Sequence, residues 1–180
     1  INRAVDILGP MVMSKILSLI LEGRVALLWL TPPHSATKSC DALADATGRL
    51  LVQQHKAKGA SVWETACDPH AECSKHMKKV KRECITFTIS RDMCVDGAPW
   101  KKPTLLLCND AAVLGLQASC KKDHHHIKLQ GISSDGKPWA NIASSHWPGF
   151  TTSGERVFQH LRDQPIWNCQ TLKSGFLLQC

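Results

Sequence analysis

Val25-Ala26-Leu27-Leu28-Trp29-Leu30 is an unbroken apolar run that stops at Thr31-Pro32-Pro33. A strand with one wet face alternates apolar and polar residues, so a short run apolar on both faces fits a strand inside a parallel sheet. The flanking sequence agrees. Pro10 suits the first turn of a helix, residues 11–21 are good helix formers, and Gly23 is a natural C-terminal stop. Residues 41–58 are expected to form a second helix. Leu43, Leu50, Leu51 and His55 recur there at roughly helical spacing, Gly59 ends the segment, and Gly48 weakens it. Ala60-Ser61-Val62-Trp63-Glu64 is a second strand candidate. Helix, strand, helix, strand with short joints is the rhythm of an open parallel sheet, in which a ligand sits beyond the carboxyl ends of the strands. Those ends are Pro32-Pro33-His34 and Glu64-Thr65-Ala66.

Further on, residues 72–82 read as a helix made strongly basic by Lys75, Lys78, Lys79, Lys81 and Arg82. Strands are expected at 84–89 and 103–108, and the turn-forming residues 97–102 between them suggest an antiparallel hairpin. A short strand at 126–129 and a short helix at 154–163 complete the pattern. The remainder, rich in Ser, Gly, Pro and Trp, reads as irregular. The expected organisation is therefore an α/β domain over residues 1–130 and an irregular C-terminal extension over 131–180, without internal repeats.

Apolar residues make up 43% of the chain, enough for a packed core, and the formal net charge of +7 favours a polyanionic partner such as nucleic acid without naming one. The nine cysteines are odd in number, and the N-terminus lacks the features of a secretory signal. Reduced thiols in an intracellular protein, nuclear or cytoplasmic, are the simpler expectation. Pro10, Lys15, Glu22, Gly23 and Arg24 break the apolar stretch from Ile7 to Leu30, so no membrane span is expected. A first residue other than Met suggests a fragment of a longer chain.

Three segments in order carry a family likeness. Trp29-Leu30-Thr31-Pro32-Pro33-His34 resembles the Pro-Pro-Cys loop of DNA cytosine-5 methyltransferases. Trp63-Glu64-Thr65-Ala66 stands where those enzymes carry Glu-Asn-Pro or Glu-Asn-Val. Residues 92–104 are similar to a later segment of viral and mobile-element relatives. There a Cys, a Gly and a basic-Lys-Pro-Thr run precede an apolar strand and an Asn, here Asn109. Asp6-Ile7-Leu8 and Gly23-Arg24-Val25 also fit the approach to the Pro-Pro loop, so the likeness spans about residues 5–130.

The resemblance implies a partial Rossmann-like methyltransferase sheet, parallel strands with a C-terminal antiparallel hairpin, and S-adenosylmethionine as the family's cofactor. In that family a thiolate attacks C6 of a flipped cytosine, a Glu holds the base through N3, and C5 receives the methyl group. By position His34 and Glu64 are the catalytic candidates, and Pro32, Pro33, Lys101, Lys102 and Thr104 the substrate-binding ones. The departures are substantial. Imidazole at His34 cannot follow the course of a thiolate, Thr65 replaces the loop-bracing Asn, and the Gly-rich loop that would bind the methyl donor is absent. The expected function is a degenerate, catalytically inactive methyltransferase-like domain.

Two other classes compete. One is a non-catalytic nucleic-acid-binding module using the same basic surface. The other is a small zinc-stabilised interaction domain. Cys67, His70, Cys73 and His76 are all zinc-ligand types, but steps of three residues on a helix rotate each side chain by about −60°, so four cannot face one ion. Cys120-Lys121-Lys122-Asp123-His124-His125-His126 is a further ligand-type tract, read as a solvated loop. No metal site is therefore expected.

Overall fold

The computed structural model describes residues 9–31, 38–66, 75–144 and 148–163. Four strands form one open sheet in the order β1-β2-β4-β3. β1 (Leu27–Leu30) and β2 (Ala60–Ala66) pair in parallel, Leu27 opposite Ala60 and Leu30 opposite Trp63. β4 (Pro103–Cys108) lies antiparallel between β2 and β3 (Phe87–Asp92). Consequently β1, β2 and β3 all point the same way. The helices are α1 (Pro10–Leu21), α2 (Lys38–Lys56), α3 (Lys75–Glu83), α4 (Trp139–Ser144) and α5 (Pro148–Arg162), with 3-10 turns at Met93–Asp96 and Ala111–Leu116. Among the described residues no helix is long and apolar enough to cross a membrane.

The apolar run at 25–30 behaves as its composition demands: every residue of β1 is buried. The pleat sends alternate side chains to opposite faces, and a core packs on each. Leu28, Leu30, Trp63 and Leu107 meet Ile16 and Ile20 of α1, Leu50 and Leu51 of α2, and Val80 of α3. Leu27, Trp29, Val62, Leu106 and Cys108 meet the 3-10 turns through Met93 and Val113, α4 through Ala143, and α5 through Val157 and Leu161. The result is a mixed α/β layer structure in which β1 is buried on both faces, while edge strand β3 leaves Thr88 and Ser90 exposed.

Local chemistry explains the joints. Gly23 has φ +67, and the amides of Gly23 and Arg24 donate to the carbonyls of Ile20 and Leu19. These are the two bonds with which a left-handed residue closes a helix end, and they turn the chain from α1 into β1. In α2 the buried face runs through Ala46, Thr47, Leu50, Leu51 and Gln54, while His55 of the expected stripe is exposed. Polar Gln54 is inside because its side-chain amide donates to the carbonyls of Val25 and Ala60, at 2.7 and 3.1 Å. That amide holds the starts of β1 and β2 together. Gly48 lets α2 approach α3: a Cβ there would lie 3.3 Å from Val80.

Three expectations shift. The strand expected at 84–89 is Phe87–Asp92, because the amides of Cys84 and Ile85 still donate to Val80 at the end of α3. Ser90, Arg91 and Asp92 extend it instead. No strand forms at 126–129. Where an irregular extension was expected, with a helix only at 154–163, α4 and the longer α5 add Ala143, Val157 and Leu161 to the core. The antiparallel hairpin is as expected, with Asp92 opposite Pro103.

Gly59 abuts the Gln54 amide so closely that a Cβ on it would sit 2.0 Å from Nε2. Gly59→Ala should therefore cost about 1–3 kcal/mol of stability in urea unfolding, as overpacking does. Adding Gln54→Ala should make the pair cost clearly less than the sum of the single changes. Strict additivity would show that the two residues do not meet.

Candidate functional site at the carboxyl edge of the sheet

Parallel pairing places the carboxyl ends of β1 and β2 side by side. Because β4 runs the other way, the carboxyl end of β3 and the amino end of β4 reach the same edge, with Asp92 opposite Pro103 and Ala66 opposite Thr104. The edge thus gathers Thr31, Glu64, Asp92, Lys101 and Lys102 from four separate stretches of chain.

Glu64 is the unusual member. Trp63 points into the α1/α2 core, so the pleat turns Glu64 to the other face, where it is only 2% exposed. A buried carboxylate is costly unless donors surround it. Two come from β1 and its exit: the Trp29 indole N–H donates to Oε2 at 3.0 Å, and the Thr31 hydroxyl donates to the same oxygen at 3.2 Å. Trp29 and Thr31 are two residues apart and so share a strand face, and the parallel register brings that face level with Glu64. Lys102 supplies charge nearby. Burial lowers its pKa, and the negative charge of Glu64 acts in the opposite direction. Its ammonium donates to the Ala143 carbonyl at 2.8 Å, which ties α4 to this edge.

The other residues expected here are distributed unevenly. Lys101 is partly exposed and pairs with Asp92 at 3.6 Å. Thr104 is buried, its hydroxyl donating to the Lys102 carbonyl at 3.3 Å. Asn109 lies at the opposite edge, where it accepts from the Ser61 amide at 2.7 Å and donates to the Gly59 carbonyl at 2.9 Å. It completes the sheet ladder there. Pro32, Pro33 and His34 lie outside the described residues, as do Cys67, His70 and Cys73; of His76 only its place in α3 is described.

Sequence reasoning missed the residues that build this edge from behind. Arg91 grips Asp96 side-on, Nε to Oδ2 at 2.8 Å and Nη2 to Oδ1 at 2.6 Å, with both side chains nearly buried. Arg91 also donates to the Leu116 carbonyl, and the Ser153 hydroxyl donates to Asp96 at 3.2 Å. One ion pair therefore joins β3 to both 3-10 turns and α5. Its sequence signal was an Arg and an Asp five residues apart, which means nothing until the turn at Gly97 (φ +86) is formed. Cys84 and Cys108 offer no activated thiol. Burial raises both, Cys108 to about 12 with Asp110 adding to it.

Arg91→Met should leave Asp96 buried without its cation and cost about 3–5 kcal/mol in chemical unfolding. Arg91→Met with Asp96→Leu should recover much of that loss. A single change costing less than the double would contradict the pairing.

Compared with known proteins, the chain matches no family model, no curated protein and no solved structure.

Proposed function

We propose that this chain is a degenerate DNA cytosine-5 methyltransferase-like domain, a partial Rossmann-like sheet whose carboxyl edge receives an extrahelical cytosine without methylating it. The observation that carries the reading is Glu64, a buried carboxylate at the carboxyl end of one parallel strand, oriented by Trp29 and Thr31 of its neighbour. The two groups that orient it lead straight into Pro32-Pro33-His34. The topology supports the same reading, since a parallel pair followed by an antiparallel hairpin is what the resemblance implies.

An extrahelical cytosine presents its N4 amino group as the donor of its pairing edge, and a site closed to water recognises it with a fixed acceptor. A carboxylate held by two donors suits that task better than one on a flexible exposed chain. Lys101 at the same edge, and the exposed Lys78, Lys79 and Arg82 of α3, supply phosphate contacts. Lys102 positions α4 through Ala143 while its charge balances Glu64.

Among the residues that form this edge there is no Gly-rich turn for S-adenosylmethionine. The loops that follow β1 and β2, residues 32–37 and 67–74, contain no glycine, so neither is the Gly-rich turn that the donor would need. The proposed role is binding of the base without transfer of a methyl group.

Fluorescence anisotropy with a labelled duplex carrying one unpaired cytosine tests the reading. Affinity should fall steeply between about 50 and 200 mM salt, as counterion release requires. Glu64→Gln keeps the shape and the two donors, and should reduce the preference for cytosine over thymine by about tenfold, the scale of a lost base-edge contact. Equal affinity for the two duplexes in the unmodified chain, or binding indifferent to salt, would sink the proposal.

A further inference from the structure

Four side chains that the function above does not use converge beside the 3-10 turn Met93–Asp96: Cys94, Cys120, His124 and His126. Their ligand atoms all lie within 4.8 Å of one another. The Cys120 sulfur is 3.4 Å from His126 Nε2 and 3.9 Å from His124 Nε2. Sulfur and nitrogen on one tetrahedral zinc, bonded at about 2.3 and 2.0–2.1 Å, are separated by about 3.6 Å. We infer that Cys94, Cys120, His124 and His126 form a structural zinc site of the two-thiolate, two-imidazole kind.

The backbone shows how the site is assembled. On one side, the Asp92 amide donates to the Ala118 carbonyl at 3.0 Å, and the Asp92 carboxylate accepts from the Cys120 amide at 2.8 Å. On the other, the Ile127 amide donates to the Pro99 carbonyl at 2.8 Å. Residues 118–127 are thereby pinned at both ends over the 93–99 turn, with Cys94 beneath the arch. His124 and His126, two residues apart, meet edge to face at 4.4 Å, His126 half-buried and His124 nearer the solvent.

Second contacts match those of a metal centre rather than a chance meeting of side chains. Asp123 bonds His124 Nδ1 at 2.7 Å, which turns Nε2 toward the sulfur of Cys120; carboxylates orient metal-bound imidazoles in this way. The Lys122 amide donates to the Cys120 sulfur at 3.3 Å, a bond that a thiolate strengthens. Lys122 takes φ +60, a left-handed conformation costly for a residue with a Cβ, and it is the tight turn of Cys120 to His124 that demands it. Two thiolates and one divalent zinc sum to zero charge, so the half-buried centre carries no desolvated net charge; binding releases the two thiol protons to solvent. Soft sulfur with imidazole in a four-coordinate set selects zinc over magnesium or calcium.

The fold has a use for such a clip. Between the turn at Ala111–Leu116 and α4 at Trp139–Ser144 the chain forms no helix or strand, and residues 121–125 are all exposed. Segments of this length without regular structure are uncommon in compact domains, and a metal tie offsets their ordering entropy.

The test is metal analysis of the full chain purified without chelators, where about one zinc per chain is expected. Cys120→Ser and His126→Ala, each measured as folded protein, should lose the zinc, and Cys67→Ser with Cys73→Ser should keep it. Asp123→Asn should bind about tenfold more weakly, in line with loss of a partner that orients an imidazole. If Cys120→Ser fails to fold, cobalt loaded into the Cys67→Ser/Cys73→Ser chain decides. Intense visible bands with sulfur charge transfer support the site, and weak octahedral bands overturn it. Full zinc in folded Cys120→Ser, zinc lost only with Cys67 and Cys73, or a zinc-free protein holding a Cys94–Cys120 disulfide would each overturn it as well.

Discussion

Parallel pairing of β1 with β2 is the contact on which the rest of the molecule depends. Neither strand has a wet face, so helices and turns must cover both, and the chain divides its apolar residues into two cores accordingly. Gln54 secures the amino ends of the pair by feeding one side-chain amide to a carbonyl on each side of the crossover. The carboxyl ends are then left together at a single edge, where polar groups can converge without disturbing the packed layers.

Polar residues at that edge do three separate jobs. Glu64 is an oriented acceptor, held by Trp29 and Thr31. Arg91 and Asp96 form a buried tie that fixes where the C-terminal helix meets the sheet. Asp92 and the turn after it present Cys94 to the arch that carries Cys120, His124 and His126. The last two arrangements stiffen the connection between β3 and β4, and that connection carries Lys101 and Lys102. The metal clip inferred above would add a further tie to the connection that carries Lys101 and Lys102.

Strands and helices with strong periodicity were legible because their signals are local. The run at 25–30, the helix formers at 11–21 and the apolar 103–108 each announce themselves within a single turn or pleat. The parallel pair and the hairpin followed from their order. β3 lies later than the alternation at 84–89 suggests because Cys84 and Ile85 still close the end of α3, while Ser90, Arg91 and Asp92 pair with Leu105, Thr104 and Pro103 of β4. His55, part of the expected stripe of α2, is exposed and Gln54 is buried, since burial there follows hydrogen bonding to the starts of β1 and β2 and not spacing.

Candidate residues divided the same way. Position relative to a strand end singled out Glu64, and the register later supplied its partners. The cysteine and histidines at 120–126 read as a solvated loop from sequence, whereas in the fold Cys120, His124 and His126 converge on a fourth ligand-type residue from elsewhere in the chain. That fourth is Cys94, which only the pairing of β3 with β4 and the tether of Ala118 to Asp92 bring within reach. By itself, the sequence determined which segments are apolar on two faces, where they stop and in what order they come, since these depend on side-chain pattern along the chain. Tertiary structure alone decided which buried polar groups are paired and which distant ligands meet, because those outcomes depend on contacts between strands that no local pattern encodes.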